Sequence, residues 1–262
     1  MWDLFNSKPL LSTGNRDFQH ACYEWLLKNF GERPCYTRAR LVLPTEEFFP
    51  ARLGSAVEAA EITFAQVKKH AGMEDWKCKL QAQAEDPNIE IAPALVVQNV
   101  DHNPLGSFSV NDKNEVLITY NPKLAEDPIQ MIATFAHELS HYLTATAAEP
   151  PPGGWSNWEF ATDICASFLG FGIFVANAAF SFQQYTNVDA HGWKSARGGY
   201  LSEAEHSYAL ALFLKLKDIP VKQALRYCDA NIKSNLKRAH KEIAGDSIIG
   251  ELRNLKYQPI RE

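Results

Sequence analysis

The sequence predicts an α+β fold, mostly helical, in which a small β-hairpin leads into a central helix and further helices flank both. Three observations carry this prediction. Long tracts between Pro and Gly punctuation repeat their apolar residues at helical spacing. One tract, SFSV-NDKN-EVLITY at 107–120, alternates about a polar turn instead. And 46% of the 262 residues are hydrophobic, enough for one large core or two modest ones.

In chain order, 17–30 reads as a helix, with Asp17 as its cap and Gly31 where a C-terminal stop belongs. A short strand at 39–43 and the Pro-bounded loop PTEEFFP follow, then a helix from Ser55 to Ala71 ended by Gly72. The tract 89–97 is β-rich although Pro93 interrupts it. After the hairpin, Asp127 caps a helix that has Pro128 at its first position and Gln130 at the capping-box position. The run Pro150-Pro151-Pro152-Gly153-Gly154 cannot continue that helix. A long apolar helix is expected from about Trp158 to Phe180, and an irregular aromatic stretch reaches Tyr200. Ser202 and Glu205 form a second capping box, opening a helix through Leu216. Beyond Pro220, one helix carries Val221, Leu225, Cys228, Ile232, Leu236 and Ile243 on one side and a solvated basic face on the other. The chain thus divides into a mixed N-terminal region (1–85), a central unit (86–200) and a C-terminal helical hairpin (201–262), or closes as one compact domain.

The net charge of −5 gives no electrostatic reason to seek nucleic acid or an anionic membrane. Five cysteines without a CxxC pair read as reduced thiols, and the opening MWDLFNSKPLL lacks the form of a signal peptide. Together these predict a cytoplasmic protein. Residues 164–182 run uncharged for nearly a bilayer's thickness, so a membrane span competes with a buried helix. Asn177, two glycines, two serines and the lack of a flanking basic cluster favour the buried helix.

His137-Glu138-Leu139-Ser140-His141 is an HExxH on the predicted central helix. Residues four apart stand one above the other, so both imidazoles can reach one ion while Glu138 sits beside it as a base. At about 100° per residue, Ile132, Phe135, Ala136, Leu139 and Leu143 cluster on one face and both histidines on nearly the opposite one. A zinc hydrolase needs a third protein ligand and an open fourth position. Thr144 and Ala147 stand where the metzincin pattern has Gly and His, which excludes that family. Eighteen residues past His141 lies Trp158-Glu159-Phe160-Ala161-Thr162-Asp163, an ExxxD.

This pairing of HExxH with ExxxD resembles the gluzincins, the thermolysin-like zinc metallopeptidases, over roughly residues 105–180. The tract is also similar to uncharacterised bacterial proteins with a TDxxxxFLGFGIF-type segment. The gluzincin resemblance implies a zincin-like core and one Zn2+ per chain held by His137, His141 and Glu159. It further implies Asp163 as the carboxylate orienting His137, and Glu138 as general base for metal-assisted hydrolysis of a peptide or protein substrate. Direct ligation by Asp163, as in aspzincins, or by Glu149 or a later histidine stays open. In zincins the strand before the metal helix is an edge strand, so Val116, Ile118 and Tyr120 are expected to hold the substrate backbone. An oxyanion-stabilising His or Tyr is expected beyond the third ligand, where Tyr185, His191, Tyr200, His206 and Arg197 stand; Tyr200 and His191 are the foremost candidates, and His206 is expected on a helix surface. Two other readings compete: a zinc-stabilised regulatory or binding protein with little peptidase activity, and an integral-membrane metallopeptidase.

Overall fold

Helix-forming tracts account for most of the structure, a computed structural model that describes residues 8–50, 55–83, 105–186 and 200–255. In chain order the helices and strands are α1 (Thr13–Phe30), α2 (Pro34–Thr37), α3 (Ala56–His70), β1 (Cys78–Ala82), β2 (Gly106–Val110), β3 (Val116–Tyr120) and α4 (Pro128–Thr144). They continue with α5 (Trp158–Ala166), a π-helical turn at Ser167–Phe171, α6 (Gly172–Thr186), α7 (Glu203–Leu216), α8 (Val221–Leu225), α9 (Ala230–Ala244) and α10 (Ile248–Arg253). The result is a mostly helical α+β protein with one small mixed sheet.

Helix α4 lies at the centre. Asp127 accepts from the backbone N–H of Gln130 at 3.0 Å and Pro128 fills the first turn, so the start is fixed by local chemistry. Its apolar face is fully packed: Phe135, Ala136, Leu139 and Leu143 are buried among α3, α5, α6 and β2. The core draws on all three sequence regions, from Leu11 in the first to Ile232 and Leu252 in the last.

The hairpin forms as its alternation predicts, with Asn114 adopting positive φ (57°) in the turn. The sheet order is β1-β3-β2, with β1 parallel and β2 antiparallel to β3. This corrects the expected role of Val116, Ile118 and Tyr120. They lie on the middle strand, their side chains are buried, and the backbone of β3 pairs with strands on both sides. The unforeseen strand β1 is what displaces β3 from the edge. The strand that packs on α4 with an outer edge unpaired among the described residues is β2.

Other boundaries shift for identifiable reasons. Ser12, not Asp17, caps α1, accepting from the N–H of Asn15 at 3.2 Å. Residues 39–43 form no strand; the Val42 N–H donates instead to the Gly170 carbonyl at 3.0 Å. Gly170 sits at φ 99°, where a Cβ would collide with the Arg40 carbonyl oxygen, so the expected long apolar helix is broken into α5 and α6. The helix expected after Pro220 is likewise two. Asn177 stands at the break, donating to the Tyr227 carbonyl at 2.8 Å and accepting from the Asp229 N–H at 3.1 Å. The apolar stretch Trp155–Ala179 is long enough to cross a membrane by composition, but 89% of its most apolar window is buried inside the protein. The β-rich tract 89–97 lies outside the described residues.

Candidate metal centre

Two helices meet to form the centre. The i, i+4 spacing of α4 brings the His137 and His141 Nε2 atoms within 3.1 Å of each other. Pro150 to Gly154 end the preceding segment, and positive φ at Gly153 and Gly154 (79° and 86°) turns the chain back. Helix α5 then opens with Glu159 in its first turn. Its Oε2 lies 3.3 Å from His137 Nε2 and 3.2 Å from His141 Nε2. Among the described residues, His137, His141 and Glu159 form a group that could hold a metal ion. Donors bound to a single tetrahedral ion at about 2.0–2.1 Å stand roughly 3.3–3.4 Å apart, close to the spacing of these three.

The far sides of both imidazoles are engaged. Asp163, one turn beyond Glu159, places Oδ1 2.9 Å from His137 Nδ1. Its Oδ2 accepts from the Leu201 N–H at 2.9 Å. The Thr162 hydroxyl lies 3.3 Å from His141 Nδ1. Both rings therefore turn Nε2 inward and Nδ1 toward an oxygen, the arrangement in which outer groups fix the tautomer of a ligand. Trp158 meets the His141 ring edge-on at 4.7 Å, and Phe108 from β2 stacks near it at 6.1 Å with an interplanar angle of 13°.

Burial and charge are balanced against each other here. Burial disfavours protonated His137, but hydrogen bonds to Asp163 and Glu159 outweigh it and hold the imidazole well above its usual pKa. Burial likewise opposes ionisation of Glu159, yet its contacts with the two histidines keep the carboxylate well below the usual range. Glu138 is buried beside the group, and desolvation raises its pKa above the ordinary value despite the nearby histidines. The backbone of β2 passes directly over it. A Cβ on Gly106 would stand 2.8 Å from Glu138 Oε1, 3.1 Å from its Cγ and 2.7 Å from Thr134 Cγ2.

Of the remaining candidates, Tyr200 comes to the site, its ring centroid 5.5 Å from that of His137. Asp163 lies behind His137, at the ring nitrogen away from Glu159. Glu149 is exposed and outside the group. His191 and Arg197 lie outside the described residues. His206 is a correction: it is buried, not on a helix surface, because α7 packs into the core with that side facing Asp163. Sequence reasoning missed Gly106, Phe108 and the support given by Thr162. The ExxTD spacing carried a signal for Thr162; nothing local marked the other two, which reach the site through strand packing.

In comparison with known proteins, no family model, curated sequence or solved structure matches the chain.

Proposed function

We propose that the chain is a zinc-dependent peptide hydrolase of the gluzincin type, with a zincin-like core. One observation carries the reading: three donor atoms converge at 3.1–3.3 Å with a buried carboxylate, Glu138, beside them and a second, Asp163, behind the first histidine. A purely structural metal site has no need of an acid–base group next to its ligands. The nitrogen, nitrogen, carboxylate set suits zinc and leaves a fourth position for water or substrate.

Zinc held by His137, His141 and Glu159 would supply a Lewis acid that polarises a carbonyl and lowers the pKa of water toward about 7. The rest of the chemistry belongs to the chain. Glu138, its proton affinity raised by burial, takes a proton from the attacking water and returns it to the departing amine nitrogen. Asp163 holds His137 in the Nδ1–H tautomer, which keeps Nε2 free for the ion. The Tyr200 hydroxyl donates to the carbonyl oxygen as it gains negative charge. An extended substrate pairs with the outer edge of β2, which passes over Glu138 and so sets the scissile bond beside the base.

The test compares hydrolysis of a random-sequence peptide mixture by the zinc-loaded wild type and by Glu138→Gln. Loss of about 10²–10⁴-fold in turnover with zinc retained is expected. Equal turnover in both proteins would remove Glu138 as base. No turnover in a zinc-replete wild type would favour a zinc-stabilised binding protein.

A further inference from the structure

The carboxylate behind the metal site has a third neighbour that the proposed chemistry leaves unused. His206, on the first turn of α7, is 1% exposed. Its Nε2 lies 3.6 Å from Asp163 Oδ2, the oxygen that also accepts from the Leu201 N–H. Its Nδ1 is buried and has no hydrogen-bond partner among the described residues. An apolar side chain of similar size would fill this space without stranding a polar atom, so packing alone gives no reason for an imidazole here.

Resting on the metal-centre reading, we infer that His206 is a positioning residue, holding Asp163 from behind so that Oδ1 stays aimed at His137. The balance of atoms favours one tautomer. Asp163 is an acceptor, so the proton belongs on Nε2 of His206 and the orphaned Nδ1 is the bare ring nitrogen. Burial lowers the pKa of His206, which keeps the ring neutral beside the carboxylate's negative charge. At 3.6 Å the contact is longer than a hydrogen bond. It orients the carboxylate by charge and dipole while Leu201 makes the short bond. Two fixed elements therefore converge on Oδ2, the Leu201 backbone just before α7 and a side chain on α7 itself. That leaves Oδ1 a single direction, toward the first metal ligand. The same arrangement ties the segment carrying Tyr200, next to Leu201, to the metal site.

The test measures zinc affinity by chelator competition, and the visible absorption of the cobalt(II) form, in wild type, His206→Leu and His206→Gln. Circular dichroism of each metal-free protein monitors the fold. Leucine should weaken zinc by about tenfold, at the low end of the effect of groups that orient ligands, and alter the cobalt spectrum. Glutamine, whose amide nitrogen can occupy the Nε2 position, should restore most of both. Affinity and spectrum unchanged in His206→Leu would overturn the inference. Should that variant fail to fold, long-range proton–nitrogen NMR of the wild type decides: Nε2–H on His206 is expected, and Nδ1–H overturns it. A wild type that binds no zinc would instead overturn the metal-centre reading on which the inference rests.

Discussion

At the residue scale, the centre is a set of side chains each of which satisfies the next. Glu159 faces both histidines, Asp163 faces His137 from behind, and Thr162 faces His141. In the metal-free protein this arrangement holds a proton on His137 more tightly than free imidazole would. Metal ligation requires that proton to leave Nε2. Below the raised pKa, each ion bound therefore releases a proton, and affinity climbs with pH until His137 of the metal-free protein has itself deprotonated. Calorimetric titration with zinc at pH 7, in two buffers of different ionisation enthalpy, should report net proton release. Heats identical in the two buffers would contradict the arrangement. The histidine pair was legible from spacing, because a helix fixes which side chains share a face; Glu159 entered as the third ligand only through what the gluzincin resemblance implies. Tyr200 was named because the gluzincin resemblance calls for a His or Tyr beyond the third ligand, with no motif to single it out among several; its approach to His137 depends on how α7 enters the core.

At the element scale, two glycines decide how segments approach the site, for different reasons. Gly106 lets β2 lie over Glu138 and Thr134, and the first atoms a methyl would meet are Thr134 Cγ2 at 2.7 Å and Glu138 Oε1 at 2.8 Å. Gly106→Ala should therefore press on buried Thr134 as well as on Glu138 and displace the carboxylate, with circular dichroism reporting that the fold is kept. Turnover is expected to fall by roughly 10–100-fold with metal content unchanged, since about 1 Å of misplacement can cost that much. Undiminished turnover would show that the strand does not set the base. Gly170 serves the fold instead. Its φ of 99° and the adjacent Arg40 carbonyl admit no side chain, and its own carbonyl accepts from Val42. Gly170→Ala should lower stability by a few kcal/mol, of which about 1–3 is backbone strain, read by urea denaturation. A loss below about 0.5 kcal/mol would mean that the π-turn relaxes freely. The capping box at Ser202 and the start of α4 were readable because capping is local. The break at Gly170 was not, since an apolar run has the same composition whether or not it bends. The middle position of β3 was hidden for a similar reason: pairing with β1 is parallel and joins segments far apart in sequence.

At the scale of the whole molecule, α4 and α5 bring both halves of the metal group into one core that runs from α1 to α10. Binding an ion across these two helices links metal occupancy to global stability. With free zinc at about a thousand times Kd, linkage gives roughly 4 kcal/mol. For a chain of this size that corresponds to a rise of roughly 8–16 °C in Tm at about 2–4 °C per kcal/mol. A chelator should reverse the rise, and a Tm indifferent to both would place the ion outside the folded core.

The proposed function requires one metal ion between α4 and α5, where His137, His141 and Glu159 form a group that could hold it. Elemental mass spectrometry of the purified wild type and of Glu159→Ala tests it most directly. About one zinc per chain is expected in the wild type and clear depletion in the variant, since a metal bound through three protein ligands loses one of them. No metal in the wild type after zinc is supplied, or equal zinc in both proteins, would contradict it.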